Sequence, residues 1–250
     1  MSKRVPIGRA LGFCKKKKSL SEEEFEKEFG RHSIWASLDP ESKLIINFFI
    51  GQRTLEDCKV FVNDLIGRLR TKPLFTSDEL PHYEKALLEH YSHLEEQPKT
   101  GKRGRPKNPR RVVDPDFMYA TVHKVRDNGK VVKVERKILF GDPQAIDNVI
   151  ASSKASKKIN TAFIERANLT LRSQNKKLSR KTLCFAKRKK TLEAQTNISV
   201  TYYNFSRPHS GLTLKGINGS KIKRTPGMAA NLIDRVWPIS EILAHPLVKA

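Results

Sequence analysis

The sequence predicts an α/β fold, a mixed sheet with helices on its faces. Three observations predict it. Residues 33–95 read as strand, strand, helix, strand, helix, an order that layers helices against a sheet. Residues 117–140 hold two β-rich runs around Asp127-Asn128-Gly129-Lys130, a hairpin-turn signal. From residue 159 onward the pattern turns helical and basic, so the last part of the chain reads as helices.

Each element has a local reason. Residues 1–32 read as a basic lead-in ending in Lys15-Lys16-Lys17-Lys18, then a short helix with Ser21 and Glu24 at capping-box spacing. Ser33 to Leu38 is β-rich and Asp39-Pro40 is its turn. Leu44 to Ile50 is apolar enough for a central strand, and Gly51 ends it. Thr54 caps a helix to about Leu69, because Leu55, Cys58, Val62, Leu65, Ile66 and Leu69 recur at helical spacing. Pro73 to Ser77 is a short strand that delivers Asp78 at its C-terminal end. Pro81 suits a helix start, and that helix is expected to reach about Leu94. Residues 96–116 are dominated by Pro, Gly, Lys and Arg and read as a basic linker. After the 117–140 hairpin and a connecting stretch to 158, helices are expected at about 142–150, 160–176 and 188–205. Thr225-Pro226 starts a last helix that ends near Trp237-Pro238.

Composition narrows the partners. Lys and Arg number 49 against 26 Asp and Glu, a net charge of +23, which favours a polyanion, and nucleic acid is the commonest. Cys14, Cys58 and Cys184 are far apart with no Cys-x-x-Cys pair, which argues against a zinc site or a disulfide frame. Leu44 to Ile50 is far too short to span a bilayer, so no membrane partner is expected. The chain reads as cytoplasmic and nucleoid-associated, with no small-molecule substrate.

The segment from Ile159 to Arg172 is the most informative. It places one carboxylate, Glu165, in a basic helical stretch, with Arg172 seven residues on. Two turns separate them, so both point from one face. An acid there suits a divalent metal, and a base suits the phosphate that a metal-activated oxygen attacks. Asp78, at the end of a strand, is a second carboxylate where open α/β sheets place sites. Asp78 also suits a helix cap, and Glu165 a surface pair with Arg166 or Arg172.

Here the residues resemble a family, the insertion-sequence transposases of the insertion-sequence-one type. Four stretches carry the likeness: Trp35 to Thr54; Thr76-Ser77-Asp78; Ile159 to Arg172 with Arg180 to Lys187; and Tyr202 to His209 with Thr225 to Ala230 and Val236-Trp237. The resemblance implies an RNase H-like core, here with an inserted β-hairpin and a basic helical C-terminal part. Its first piece would be 33–95 and its second 159–250. It also implies an acidic triad holding two divalent metals, Mg²⁺ or Mn²⁺, for cleavage and strand transfer of double-stranded DNA by a homo-oligomer. On matching positions Asp78 is the second acid, Glu165 the third and Arg172 the base two turns beyond.

One departure matters. The family's first acid precedes a Trp-x-Phe stretch on the first strand, and here Gly8 stands where that Asp should be, ahead of Phe13 and the lysine run. The region that normally precedes the core is also missing, so the chain reads as a truncated or decayed copy with impaired catalysis. The alternative is a non-catalytic DNA-binding remnant that competes with an intact copy. Asp39, the nearest substitute acid, is expected in a turn away from the site. Lys102-Arg103-Gly104-Arg105-Pro106-Lys107 resembles an AT-hook, so Arg103, Arg105 and Lys107 are candidate minor-groove contacts. Arg166, Lys176, Lys177, Arg180 and Lys181 are candidate backbone contacts on the basic helical part.

Overall fold

The computed structural model describes residues 3–14, 30–97, 108–179, 183–216 and 218–244. The 21–29 part of the expected lead-in helix, the lysine run 15–18, the AT-hook-like 102–107 and the residues Arg180 and Lys181 lie outside them.

A six-stranded mixed sheet organises the chain. Its strands are β1 (Arg4–Cys14), β2 (Gly30–Leu38), β3 (Ile45–Gly51), β4 (Leu74–Ser77), β7 (Met118–Asp127) and β8 (Lys130–Phe140), in the order β3-β2-β1-β4-β7-β8. β1 pairs antiparallel with β2 and parallel with β4, so Arg4–Cys14 runs through the middle of the sheet and not ahead of it as a lead-in. β7 pairs parallel with β4 and antiparallel with β8, through a turn at Asn128 and Gly129 whose φ values of 47° and 79° suit that pair of residues.

Two helices cover one face. α1 (Leu55–Arg68) begins where the sequence predicts, with the Thr54 side chain accepting from the Asp57 amide. α2 (Pro81–His90) is shorter than expected. It stops at His90 because Tyr91 turns inward and stacks on Phe117, ring centroids 4.9 Å apart. The chain then forms a small ribbon, β5 (Ser92–Glu95) with β6 (Arg110–Val113), inside the stretch read as helix end and linker. Trp35, Phe61, Phe75, Tyr83 and Tyr119 fill the core between these helices and the sheet.

The opposite face carries α3 (Pro143–Ser152), α4 (Ala162–Gln174) and α5 (Lys189–Thr201). Asp142 caps α3 by accepting from the Ala145 amide. Ala10, Ile34 and Ala36 of the sheet meet Ile164, Ala167 and Leu171 of α4, while Leu74, Ala120 and Val122 meet Ile146 and Ile150 of α3. α5 leads into one π-helical turn, Tyr202–Ser206. There Asn204 accepts from the Ile45 amide and donates to the Ile45 carbonyl, both at 3.0 Å, and so satisfies the outer edge of β3. The C-terminal helix predicted from Thr225 is two short ones, α6 (Pro226–Ala229) and α7 (Ile239–Ala244).

Candidate active site

The site is built where the middle of β1 and the end of β4 face α4. β1 and β4 align Arg4 with Leu74, Val5 with Phe75 and Pro6 with Thr76. Continuing that register two residues sets Gly8 beside Asp78. Side chains alternate across a strand, and Val5 and Ile7 belong to the α1–α2 core, so Gly8 faces the other way. A Cβ there would lie 3.1 Å from both Cγ atoms of Ile164 and 3.8 Å from Nδ2 of Asn168, on α4. Two buried polar atoms, Oγ1 of Thr76 and Oδ1 of Asn168, have no hydrogen-bond partner among the described residues.

Asp78 is half-buried, and its Oδ1 accepts from the Leu80 amide at 3.4 Å at the entrance to α2. Burial, reinforced by the Asp78 charge, lifts the Cys58 thiol to about 12 and holds Tyr83 well above its ordinary value. Glu165 sits in the first turn of α4, half-exposed, with Arg172 two turns further along the same helix. Its carboxylate is engaged: Lys124 Nζ lies 2.5 and 2.6 Å from its two oxygens, and Thr161 Oγ1 donates to Oε1 at 2.7 Å. Among the described residues no three His, Cys, Asp or Glu side chains gather to hold a metal ion. Asp39 is buried in the turn after β2, where it accepts from the Glu41 amide and the Ser42 hydroxyl.

Residues 141–206 match the family model of the IS1 transposase. Comparison with curated proteins and with solved structures finds no match. This matched stretch covers 66 of the 250 residues. It contains α3, α4, α5 and the π turn, and with them Glu165, Arg166, Arg172, Lys176 and Lys177. Asp78, Gly8 and Lys124 lie outside it. No helix among the described residues is long and apolar enough to cross a membrane.

The basic residues of the matched segment divide into two places. Lys176 and Lys177 form a 3₁₀ turn after α4, with the Asn175 side chain accepting from the Lys177 amide at 3.0 Å. Arg166 is exposed and points from α4 into a cavity with Lys43, Lys154 and Arg224. Sequence reading missed three residues that shape the site. Lys124 follows Ala120 and Val122 on alternate positions of β7, so it shares their face; its Glu165 partner, 41 residues away, leaves no local trace. Thr161 precedes α4 and holds Glu165 from below. Arg4, only 2% exposed, donates to the Ser156 and Lys158 carbonyls at 2.9 and 3.0 Å and ties β1 to the loop that delivers α4.

Proposed function

We propose that the chain is a mobile-element transposase that binds double-stranded DNA and has lost most of its own cleavage and strand transfer. The observation that carries this reading is Gly8: by register it lies beside Asp78, and it faces the helix of Glu165. That is where a third carboxylate would complete an acidic triad. The buried, unpartnered oxygens of Thr76 and Asn168 in the same layer support a polar side chain having belonged there.

A mixed sheet with helices on both faces, and an acid just past the end of β4, supports an RNase H-like core. Such an enzyme would use Mg²⁺ or Mn²⁺, with Asp78 and Glu165 as ligands and Arg172 on the phosphate. The residues present do not fit a two-metal centre. Gly8 offers no side-chain oxygen, and Glu165 spends both of its oxygens on the Lys124 ammonium. Losing one member of a group that acts together removes most activity. Assembly as a homo-oligomer on DNA, a nucleoid-associated location and competition with an intact copy belong to the same proposal and rest on the family likeness.

The test is a supercoiled plasmid incubated with the protein and Mg²⁺ or Mn²⁺ at low salt. The expected result is retarded plasmid without nicking. Metal-dependent nicking that Glu165→Gln abolishes would overturn the loss of activity. Absence of any retardation at low salt would overturn the DNA reading.

A further inference from the structure

On the flank of α4 away from Lys124 lies a cavity of about 620 Å³. Four cations line it, Lys43 from the turn between β2 and β3, Lys154 after α3, Arg166 on α4 and Arg224 before α6, against one acid, Glu41. None of the four has an ion pair among the described residues, and the Glu41 carboxylate is turned to the Lys154 backbone amide. Phe163 and Tyr203 add aromatic surface, and Leu38, Leu212 and Leu214 add apolar surface. The Lys43 ammonium stands over the Phe163 ring, 3.9 Å from its centroid. Burial holds the Lys43 ammonium below its ordinary value; the Asp39 and Glu41 carboxylates oppose this and Arg166 adds to it. Burial with Lys43, Arg207 and Arg166 does the same to His209, whose Nδ1 accepts from the Gly211 amide.

A single phosphate would leave most of this volume empty, whereas a base with its sugar and phosphate needs a pocket of several hundred Å³. Unpaired cations at the rim and an aromatic wall are the two features that hold single-stranded nucleotides, by charge on the backbone and by stacking on the base. The pocket adjoins Glu165, the residue before Arg166 on α4. We propose that it receives one unpaired nucleotide of a DNA strand whose next phosphates pass along α4 towards Glu165. This rests on the DNA reading above, and goes beyond it by naming a strand-end site.

The test compares two hairpin duplexes, one blunt and one with a single unpaired 2-aminopurine nucleotide at its 5′ end, by fluorescence anisotropy and 2-aminopurine intensity. The overhang should bind roughly tenfold tighter, the size of one stacked base, with a change in 2-aminopurine emission. Phe163→Ala should remove that preference while the blunt duplex still binds, whereas Arg166→Glu should remove it and weaken both duplexes. Lys154→Glu, at an exposed position, should weaken it without touching the fold. Equal affinity for both duplexes with unchanged emission would overturn the pocket alone. So would a preference that survives all three substitutions, or deoxyadenosine monophosphate binding as tightly as the overhang. Failure of both duplexes to bind at low salt would remove the DNA reading as well.

Discussion

The two flanks of α4 carry opposite electrostatic arrangements. On one, the acid is satisfied: Glu165 accepts from Thr161 and lies against the Lys124 ammonium, on the helix whose Ile164 and Asn168 face Gly8. On the other, the cations have no ion pairs among the described residues: Lys43, Lys154, Arg166 and Arg224 share one cavity with Glu41, and Lys43 and Arg224 donate to the Pro40 and Leu212 carbonyls. A helix one residue out of phase thus presents a closed acidic side and an open basic side. Under the reading proposed above, the difference teaches that loss of an acid and retention of a DNA surface would be separable. The first concerns the strand ends beneath Glu165, the second the surface around Arg166.

The largest effect should come from the basic side. With a net charge of +23, DNA affinity should fall about a thousandfold or more between 50 and 200 mM salt, as for proteins contacting several phosphates. A gel-shift titration across that range checks it, and a flat response would break the comparison. Next comes Arg4, whose buried guanidinium holds the loop before α4. Arg4→Met should cost about 2 kcal/mol, because the Ser156 and Lys158 carbonyls lose charged donors. Urea unfolding measures that loss. Lys124→Met should change stability by less than about 1 kcal/mol, since Glu165 is half-exposed and such pairs are weak. A larger loss in the same unfolding curves would mean that the acidic side is held by this pair.

The smallest effect is one of pH. Burial and neighbouring cations hold the folded His209 below its ordinary value, so its protonation is disfavoured in the folded chain. Above the unfolded value of about 6.5 the histidine is neutral in both states and costs nothing. As pH falls below that value the unfolded chain takes up the proton first, and stability drops until the folded value is passed. Thermal unfolding at pH 7.5 and 5 should show this fall, and His209→Gln should reduce it.

Much of the framework was legible because its signals are local. Thr54, Asp142 and Thr225 cap the helices that follow them, and Asn128-Gly129 turns the hairpin. Ser77 ends β4 and presents Asp78, as the short apolar run implies. What escaped reading is non-local or runs against propensity. Arg4–Cys14 contains Pro6, Gly8 and Gly12, poor strand formers, yet becomes the central strand because β2 and β4 pair with it on both sides. β5 and β6 are polar and meet across a long gap, so no periodicity marks them. At the site, Glu165 and Arg172 could be placed on one helix from spacing alone, whereas Lys124 and Arg4 act on it from strands 41 and more than 150 residues away.

The most direct test of the account places an acid at position 8. Isothermal titration with Mn²⁺ should be run on the wild type, on Gly8→Asp and on Gly8→Asp with Glu165→Gln. Thermal unfolding confirms that each is folded, and Ile164→Val makes room beside the new side chain if Gly8→Asp alone is unstable. The account predicts no saturable Mn²⁺ binding by the wild type, a site in Gly8→Asp, and its loss with Glu165→Gln. Saturable binding by the wild type, or none in a folded Gly8→Asp protein, would contradict it.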